Sequence, residues 1–561
     1  MYKGKISSLI SKETKLRKNE VLSLLESPPN VEMGDYAFPC FVLSKKQKKK
    51  SPVEIAEELA KSIKPVNPIE RVESKGPYLN FFLSKKIIAR DILEIDETFG
   101  KSDIGKNKTV VFDFSHPNVG KPMHVGHIRS TIIGDSMMRT YNYLGYNPVG
   151  INYLGDVGLH IGKLIVAYEM WLDKDALKKD PTKELLRLYV KFCSKEKTEI
   201  TEGMEEEMQD NEWTNKAKEK VKQLELGNKK AHKIWNDIRK SSEKGFNKVY
   251  DMLKVSFTET TGQSYFSNKG KEIITNALLK KKVKSESDGA LYVDLEGQKK
   301  YVLRSNKTAF YITQDIGAAV SRFEKYKFDK MVYITDFRQE GHFNHLFDIL
   351  KLFGFKFHNK LNHLPFGTIR FGKEIMATRT GKVIQLEEVL QKTIKKAEQS
   401  IKKRKRKGDA EKVGVGAIKY IVLKNEPIRD VNFSWEAALS FEGNTGPYLQ
   451  YSYARASSLL KKAGKKKNSK PTIPEINEQE YLLLLKMSKF KEVIEKTAER
   501  MSPAIIANYS YELAKLFNEF YQNNKILGED KEEFRLRLID SFRKVLKRSL
   551  HLLGVEVMEE M

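Results

Sequence analysis

The sequence predicts a multidomain α/β protein: a doubly wound parallel sheet with a helical insertion, preceded by a small α+β domain and followed by an all-α bundle. Short apolar runs, typical of strands buried on both faces, alternate with helical patterns at about 108–170 and at about 300–385. The stretch between them, about 172–250, is charged, helical in pattern and poor in Gly and Pro. A chain of 561 residues is also too long for one core.

Three domains are expected along the chain. Residues 1–100 open with an amphipathic helical pattern and close with the alternating strand Pro77–Leu83, which is typical of an α+β unit. Residues 101–425 hold the parallel sheet and its insertion. In residues 426–561, apolar side chains recur at helical spacing from Leu483 onwards, which predicts a helical bundle.

The composition favours a nucleic-acid partner. Lys and Arg number 101 against 74 Asp and Glu, a net charge of +27, and such a surface attracts polyanions. A solvated basic surface without that partner is the alternative. No apolar run is long enough to cross a bilayer, and the N-terminus lacks the apolar segment of a signal peptide. Cys40 and Cys193 form no metal-ligand pattern, so we expect a cytoplasmic protein with no membrane partner and no structural metal site.

The segment Val110–His127, VVFDFSHPNVGKPMHVGH, predicts a buried strand, a turn and the start of a helix. Free backbone N–H groups and the helix dipole suit such a first turn to an anion, and Gly126 leaves room for a flat base. His124 and His127, three residues apart, fall on one face of this turn and can donate to phosphate oxygens. A surface pair or half of a metal site is the alternative for two histidines at this spacing.

The string P-N-x-x-K-P-x-H-x-G-H in this segment resembles the signature of class I aminoacyl-tRNA synthetases in its arginyl form. Gly34–Lys45 and Lys75–Ser84 resemble the additional N-terminal domain of arginyl-tRNA synthetases, and Glu442–Leu460 resembles their anticodon-binding domain. No Walker P-loop and no G-x-G-x-x-G occurs. The resemblance implies a Rossmann-type catalytic domain, an anticodon-binding C-terminal bundle and arginine–tRNA ligase activity. In that reaction arginine and ATP form arginyl-adenylate, and the arginyl group then passes to tRNA(Arg).

The resemblance implies catalytic roles for His124, His127, Lys121 and Arg379, and ATP binding by His124, Gly126, His127, Lys121, Met376 and Lys382. Residues 376–381, MATRTG, stand where class I enzymes carry a lysine-rich loop of the KMSKS type, but the second lysine is missing. Lys121 is expected to be the main catalytic cation, because it is held in the turn before His124 and is preorganised for the charge on departing pyrophosphate. Arg379 is expected to contribute less.

The resemblance implies arginine binding by Asp113, Ser115, Asn118, Tyr311, Asp315, Gln339 and Gln263. The first three fall where the family holds the α-amino and carboxylate groups. A guanidinium calls for a planar acceptor, and Asp315, one helical turn after Tyr311, supplies a carboxylate. Gln263 replaces an acid of the family, so a charge is missing at that position.

The resemblance also implies tRNA contacts at Asn80, Tyr448, Tyr451 and Met561, with packing in the core as the alternative for the two tyrosines. Basic clusters at 402–407 and 461–470 either follow phosphates or form solvated surface. We expect ATP to act as its Mg²⁺ complex and the protein to be a monomer. The alternatives in function are a synthetase for another amino acid and a non-catalytic tRNA-binding paralogue.

Overall fold

The computed structural model describes residues 2–46, 50–197, 211–371, 384–404, 407–464 and 472–561. Its first domain is the expected α+β unit, with a three-stranded antiparallel sheet in the order β1-β3-β2. The buried aromatic ring of Phe81 lies in its core, while Phe82 is half-buried beneath the Arg71 guanidinium. Its elements are α1 (Lys3–Thr14), α2 (Lys18–Leu24), β1 (Tyr36–Pro39), α3 (Phe41–Lys46), α4 (Pro52–Ser62), β2 (Ile69–Lys75), β3 (Tyr78–Leu83) and α5 (Lys85–Leu93).

The central sheet begins with the strand, turn and helix predicted around Val110–His127. The elements are β4 (Thr109–Asp113), α6 (Val125–Tyr143) and β5 (Asn147–Leu154). Successive residues of β4 face opposite sides of the sheet, so Val110 and Phe112 join one hydrophobic core and Val111 joins the other. Burial on both faces explains why this strand reads as a continuous apolar run.

Helices follow where the insertion is expected: α7 (Leu159–Trp171), α8 (Lys174–Lys179), α9 (Pro181–Lys197), α10 (Glu212–Glu225) and α11 (Lys229–Leu253). Hydrogen bonds tie α11 to the end of β5 and to the turn before α6. The Trp235 indole N–H donates to the carbonyl of Asp156 (2.8 Å), just after β5, and the hydroxyl of Ser242 accepts from the backbone N–H of Gly120 (2.8 Å). The insertion therefore supports the turn that precedes α6.

The sheet is completed by β6, β10 and β11, in the order β11-β10-β4-β5-β6, with every pair parallel. The doubly wound fold is thereby confirmed. A small antiparallel sheet, β7-β8-β9, lies between β6 and β10 in the chain. The elements are β6 (Glu259–Gly262), α12 (Ser267–Leu279), β7 (Lys284–Ser285), β8 (Leu291–Leu295), β9 (Gln298–Leu303), α13 (Tyr311–Tyr326), β10 (Lys330–Asp336), α14 (Glu340–Phe353) and β11 (Leu361–Phe366).

The remaining elements connect the sheet to the C-terminal bundle and form that bundle. They are β12 (Ile369–Phe371), α15 (Leu386–Lys403), α16 (Ala410–Leu423), β13 (Val431–Phe433), α17 (Trp435–Ala438), α18 (Gly446–Ala463), α19 (Glu478–Ser488), α20 (Phe490–Arg500), α21 (Ala504–Asn523) and α22 (Glu532–Leu552). Leu483, Met487 and Phe517 are fully buried, which confirms the helical spacing of the apolar positions. The bundle touches α6 directly, because the Ser136 hydroxyl donates to the carbonyl of Leu552 (2.9 Å).

Candidate active site

The turn into α6 brings the two predicted histidines into contact. His124 is the residue that caps the helix, and its Nδ1 accepts the backbone N–H of Gly126 (3.0 Å). His127 lies in the first turn, and its Nδ1 accepts the backbone N–H of His124 (3.1 Å). The ring centroids are 3.9 Å apart. A Cβ at Gly126 would lie 2.7 Å from the His124 ring, so this glycine is needed for the cap itself.

Both imidazoles are neutral donors. Burial, with the nearby charge of Lys121, lowers the pKa of His124 to about 4, and burial lowers the pKa of His127 well below its usual value. Because each Nδ1 accepts a backbone N–H, each ring carries its proton on Nε2. The arrangement therefore presents two Nε2–H groups at the positive end of α6 without adding two charges.

Lys121 and the segment after residue 383 flank this turn. The Lys121 Nζ lies 4.5 Å from the centroid of the Tyr189 ring on α9, and its charge acts on both histidines. Val125 donates its backbone N–H to Ile384 (3.3 Å), and Leu386 donates to Met123 (2.9 Å). Met376, Arg379 and Lys382 lie outside the described residues, so the structure assigns them no position.

At the carboxyl end of β4, Asp113 lies in a buried ionic cluster. One carboxylate oxygen accepts from Arg322 Nη1 on α13 (2.7 Å), and the other lies 2.8 Å from Nε2 of His116. Burial alone would raise the pKa of the Asp113 carboxyl, but the charges of Arg322 and His116 hold it below its usual value. Asp113 is therefore a carboxylate, although it is 1% exposed.

The other two residues predicted near β4 have different environments. The Ser115 hydroxyl is buried between Tyr250 (2.8 Å) and Thr131 (2.9 Å), and its backbone has a left-handed φ of 83°. Asn118 is exposed, and it pairs through its backbone with Gly155 beyond the end of β5. Asn118 is therefore open to a ligand, whereas Ser115 serves chiefly to hold the turn.

Tyr311 and Asp315 lie in the first turns of α13, as predicted, and a third group joins them. Tyr311 is 53% exposed, with its hydroxyl beside Gly158. Oδ2 of Asp315 lies 2.6 Å from Nε2 of His342, the third residue of α14. Gln339 is exposed on the 3₁₀ turn Phe337–Gln339 that leads into α14. Because α14 follows β10, His342 and the Asp315 carboxylate that it contacts lie at the carboxyl edge of the parallel sheet, where ligands bind in such folds.

Several buried polar atoms at this edge have no hydrogen-bond partner among the described residues. They are Oδ1 of Asn152, the hydroxyls of Tyr153 and Thr261, Oε1 of Gln263 and Oε1 of Gln314. Native interiors leave few such atoms unpaired, so this group marks a place where a polar ligand or water completes the bonding. Gln263 is held there by its neighbour Ser264, which donates its backbone N–H (2.9 Å) and hydroxyl (2.6 Å) to the buried Asp156.

Tyr448, Tyr451 and Met561 line one cleft of about 340 Å³ in the C-terminal bundle, with Arg404 and Lys407 on its rim. The Tyr448 hydroxyl accepts from Asn518 (2.9 Å), and the Tyr451 hydroxyl accepts from Arg455 (3.1 Å). Both rings are half-buried, so each packs against the bundle and also presents a surface. The cleft joins residues from both ends of the domain.

Asn80 has a different setting. It lies in β3, the middle strand of the N-terminal sheet, and is 2% exposed. A direct tRNA contact there stays a prediction that requires local opening.

Sequence reasoning missed Arg322, His342 and the strand-end tyrosines Tyr153 and Tyr333. Tyr153 lies next to the last residue of β5, and Tyr333 lies in the second half of β10. A search for polar side chains at the carboxyl ends of the predicted strands would have found both tyrosines. Arg322 is seven residues after Asp315 on α13, so helical periodicity places it on the same face.

Three protein-family models match the chain. The model described as the N-terminal domain of arginyl tRNA synthetase matches residues 2–83, that of the class I (R) tRNA synthetase catalytic domain matches 89–435, and that of the DALR anticodon binding domain matches 449–561. Arginine–tRNA ligases of Clostridium beijerinckii and Halothermothrix orenii are 38% and 39% identical, each covering 100% of both chains.

Solved structures agree on the fold. The arginyl-tRNA synthetase of Thermus thermophilus superposes with a TM-score of 0.83 at 24% identity, covering 100% of both chains. The enzyme of Plasmodium falciparum superposes with a TM-score of 0.79 at 24% identity, over 99% of this chain and 98% of its own. The whole chain thus has the architecture of these two proteins, including the helical C-terminal bundle.

Proposed function

The chain belongs to the arginyl-tRNA synthetase family and is an arginine–tRNA ligase, and we propose that the turn into α6 and the adjoining strand ends form its active site. The observation that carries this proposal is the pair of neutral Nε2–H donors at the start of α6, on the same edge of the sheet as the Asp315 carboxylate. One group of residues suits phosphates and the other suits a guanidinium. The substrates are arginine, ATP and tRNA.

In the first step, a carboxylate oxygen of arginine attacks the α-phosphorus of ATP, and the bond to the departing pyrophosphate breaks. Negative charge grows on the leaving oxygens as this bond lengthens. His124 and His127 donate from Nε2 to phosphate oxygens, while Lys121 supplies positive charge beside them. These groups are held by backbone bonds before the substrate arrives, which favours stabilisation of the transition state over that of the ground state.

Arginine is held by its two ends. Asp315 pairs with the guanidinium, and Tyr311 and Gln339 border it. At the other end, the Asp113 oxygen that bonds His116 is the one able to receive the α-ammonium, because Arg322 occupies the second oxygen. Ser115 positions the turn, and Asn118 contacts the substrate carboxylate. The Gln263 amide oxygen, which has no partner among the residues that the structure describes, offers a further acceptor.

In the second step, a hydroxyl of the terminal ribose of tRNA attacks the carbonyl carbon of the adenylate, and AMP leaves. No protein nucleophile is required. The cleft formed by Tyr448, Tyr451 and Met561 offers aromatic faces beside cations, a combination that suits stacked, unpaired bases. We assign anticodon binding to this cleft.

ATP enters with Mg²⁺ in this proposal. Among the described residues, no three His, Cys, Asp or Glu side chains gather at a place able to hold a metal ion, so the phosphates themselves would supply much of its coordination. The ion would neutralise charge on the phosphate oxygens. We also propose that the protein acts as a monomer in the cytoplasm; no helix in the described part of the chain is long and apolar enough to cross a membrane.

Charging of tRNA(Arg) with each amino acid, in the presence and absence of ATP, tests the proposal. We expect charging with arginine alone, and only with ATP. Charging with a different amino acid would contradict the assignment of Asp315. The alternative of a non-catalytic paralogue requires no charging at all, and the intact pair of histidines argues against it.

A further inference from the structure

Asp315 has a bonded and an unbonded oxygen. Oδ2 lies 2.6 Å from Nε2 of His342, whereas Oδ1 has no donor within hydrogen-bond distance among the described residues. The Asp315 side chain is 14% exposed and that of His342 is 34% exposed, so the pair lies at the border of the candidate active site. Because a carboxylate only accepts, Nε2 of His342 carries the proton in this bond.

We propose that His342 is the positioning residue for arginine recognition: its Nε2–H bond to Oδ2 holds the Asp315 carboxylate so that Oδ1 meets the guanidinium. This inference rests on the proposed function, in which Asp315 is the guanidinium acceptor. His342 does not touch arginine in this arrangement. Its hydrogen bond restrains rotation of the Asp315 carboxylate before the substrate arrives. Less conformational entropy is then lost when arginine binds.

The position of His342 is itself fixed by packing. Its ring meets Phe343 edge-on, with centroids 5.4 Å apart, and Phe343 stacks on His363 at 4.8 Å. His363 in turn bonds the Thr335 hydroxyl at 2.8 Å, near the carboxyl end of β10. A chain of contacts therefore connects the carboxylate on α13 to the edge of the sheet, as expected of a preorganised site.

A fixed carboxylate plane matters more for a guanidinium than for an ammonium. The guanidinium is planar and needs its acceptor in a defined direction, whereas the ammonium of lysine is a compact charge with three donors. Loss of the His342 bond should therefore weaken arginine binding more than the binding of lysine as a competitor. That difference separates positioning from a general loss of charge.

The pair also predicts a proton linkage. Burial lowers the pKa of His342, but the bond to Asp315 and its charge outweigh burial and raise that pKa above its usual value. Other titratable groups also act on this pair. Tyr153 on β5 and Tyr333 on β10 interact with Asp315, whereas His345 on α14 and His363 on β11 interact with His342, and Glu340 on α14 acts on His363. An arginine guanidinium at Oδ1 of Asp315 repels a positive charge on His342. Arginine binding therefore drives release of the Nδ1 proton of His342, while the hydrogen bond from its Nε2–H to Asp315 remains.

The sign follows from this competition. Arginine binds the neutral-His342 form better, so KM for arginine falls as pH rises through the raised pKa of the free protein. One released proton allows about a tenfold change per pH unit at most. KM for ATP should not share this slope, because Asp315 lies on another helix from the histidines of α6.

The experiment compares His342→Leu, His342→Gln and the control His345→Gln, which changes a histidine three residues along the same helix. Charging is measured with the full chain from about pH 6 to about pH 8, where histidine titrates. We expect His342→Leu to raise KM for arginine about tenfold to a hundredfold, as expected for loss of a charge-assisted bond, with KM for ATP unchanged. His342→Gln, which keeps an N–H donor, should restore most of the affinity but lose the pH slope.

Three results would overturn the inference. The first is an arginine KM that Asp315→Asn raises but His342→Leu leaves unchanged. Asp315 would then bind the guanidinium without any contribution from His342. The second is an equal rise in the KM of arginine and ATP together with a lower melting temperature, which indicates a structural defect. The third is an unchanged arginine KM in Asp315→Asn itself, and this result alone would also overturn the guanidinium site of the proposed function.

Discussion

Two regions bury polar side chains: the cleft at the carboxyl edge of the sheet, and the seam where the N-terminal domain meets the bundle. They differ in how these side chains are hydrogen-bonded. In the cleft, the hydroxyl of Tyr153 and Oε1 of Gln263 lack hydrogen-bond partners among the described residues. In the seam, Asp35 accepts from the Tyr481 hydroxyl (2.6 Å) and from the backbone N–H of Leu83 (2.7 Å).

Further hydrogen bonds cross the seam. The Tyr36 hydroxyl donates to Glu492 (2.8 Å), and the Ser541 hydroxyl donates to the carbonyl of Ile92 (2.8 Å). A buried polar group without a hydrogen-bond partner costs about 1–3 kcal/mol of stability. Such groups are therefore expected where a bound ligand completes the hydrogen bonding. The seam carboxylates of Asp35 and Glu492 therefore have their donors within the chain, whereas the cleft keeps buried polar oxygens that a bound ligand can pair with.

Changing the cleft carboxylate should have the largest effect. Asp315→Asn removes the charged half of a desolvated pair, which costs about 2–5 kcal/mol and raises KM for arginine far more than KM for ATP. Steady-state charging measures both constants. Asp348→Asn, at an exposed position of α14, is the matched control and should change neither. An unaltered arginine KM in Asp315→Asn would remove this residue from the guanidinium site.

Removal of the Lys121 cation should affect kcat instead of substrate binding. Lys121→Ala should lower kcat by about 10²- to 10³-fold, or roughly 2.7–4 kcal/mol, because the charge on pyrophosphate exists only in the transition state. Arg379→Ala should cost less. Rates at saturating arginine, ATP and tRNA decide between them, with Lys108→Ala, at an exposed position just before β4, as the control. A larger loss in Arg379→Ala would place the main cation in the loop.

Disruption of the seam should lower stability and leave catalysis intact. Tyr481→Phe removes one of the two donors to the buried Asp35 carboxylate, so the free energy of unfolding should fall by about 1–3 kcal/mol. Denaturant unfolding measures this change. Tyr78→Phe is the control, because the Tyr78 hydroxyl has no hydrogen-bond partner in the described part of the chain. Equal stability of the two variants would show that the seam does not depend on this bond.

The smallest expected effect is a gain. Gln263→Glu places a charge where Oε1 is buried and has no hydrogen-bond partner in the described part of the chain. Arginine affinity should improve by about 1–2 kcal/mol, the gap between charged and neutral hydrogen bonds. KM for arginine measures the gain, and Gln298→Glu on the exposed end of β9 controls for added charge. Weaker arginine binding would mean that the amide faces something other than the substrate cation.

The amino-acid sequence by itself determined the features that depend on local order. Periodicity placed the strand, turn and helix around Val110–His127, and the four-residue spacing placed Tyr311 and Asp315 on one helical face, because helix and strand repeats are fixed by backbone geometry. The resemblance to arginyl-tRNA synthetases rests on motif strings along the chain, such as P-N-x-x-K-P-x-H-x-G-H, and these are also local. The individual site assignments remain predictions.

The tertiary structure alone decided which distant groups meet. Asp113 and Arg322 are 209 residues apart, Asp315 and His342 are 27 apart, and Asp35 and Tyr481 are 446 apart. No local repeat relates such positions, since their proximity follows from strand order and from the packing of separate helices. The partner of each buried charge, and the lack of a partner for Oε1 of Gln263 among the described residues, therefore appear only when the sheet and the helices around it are assembled.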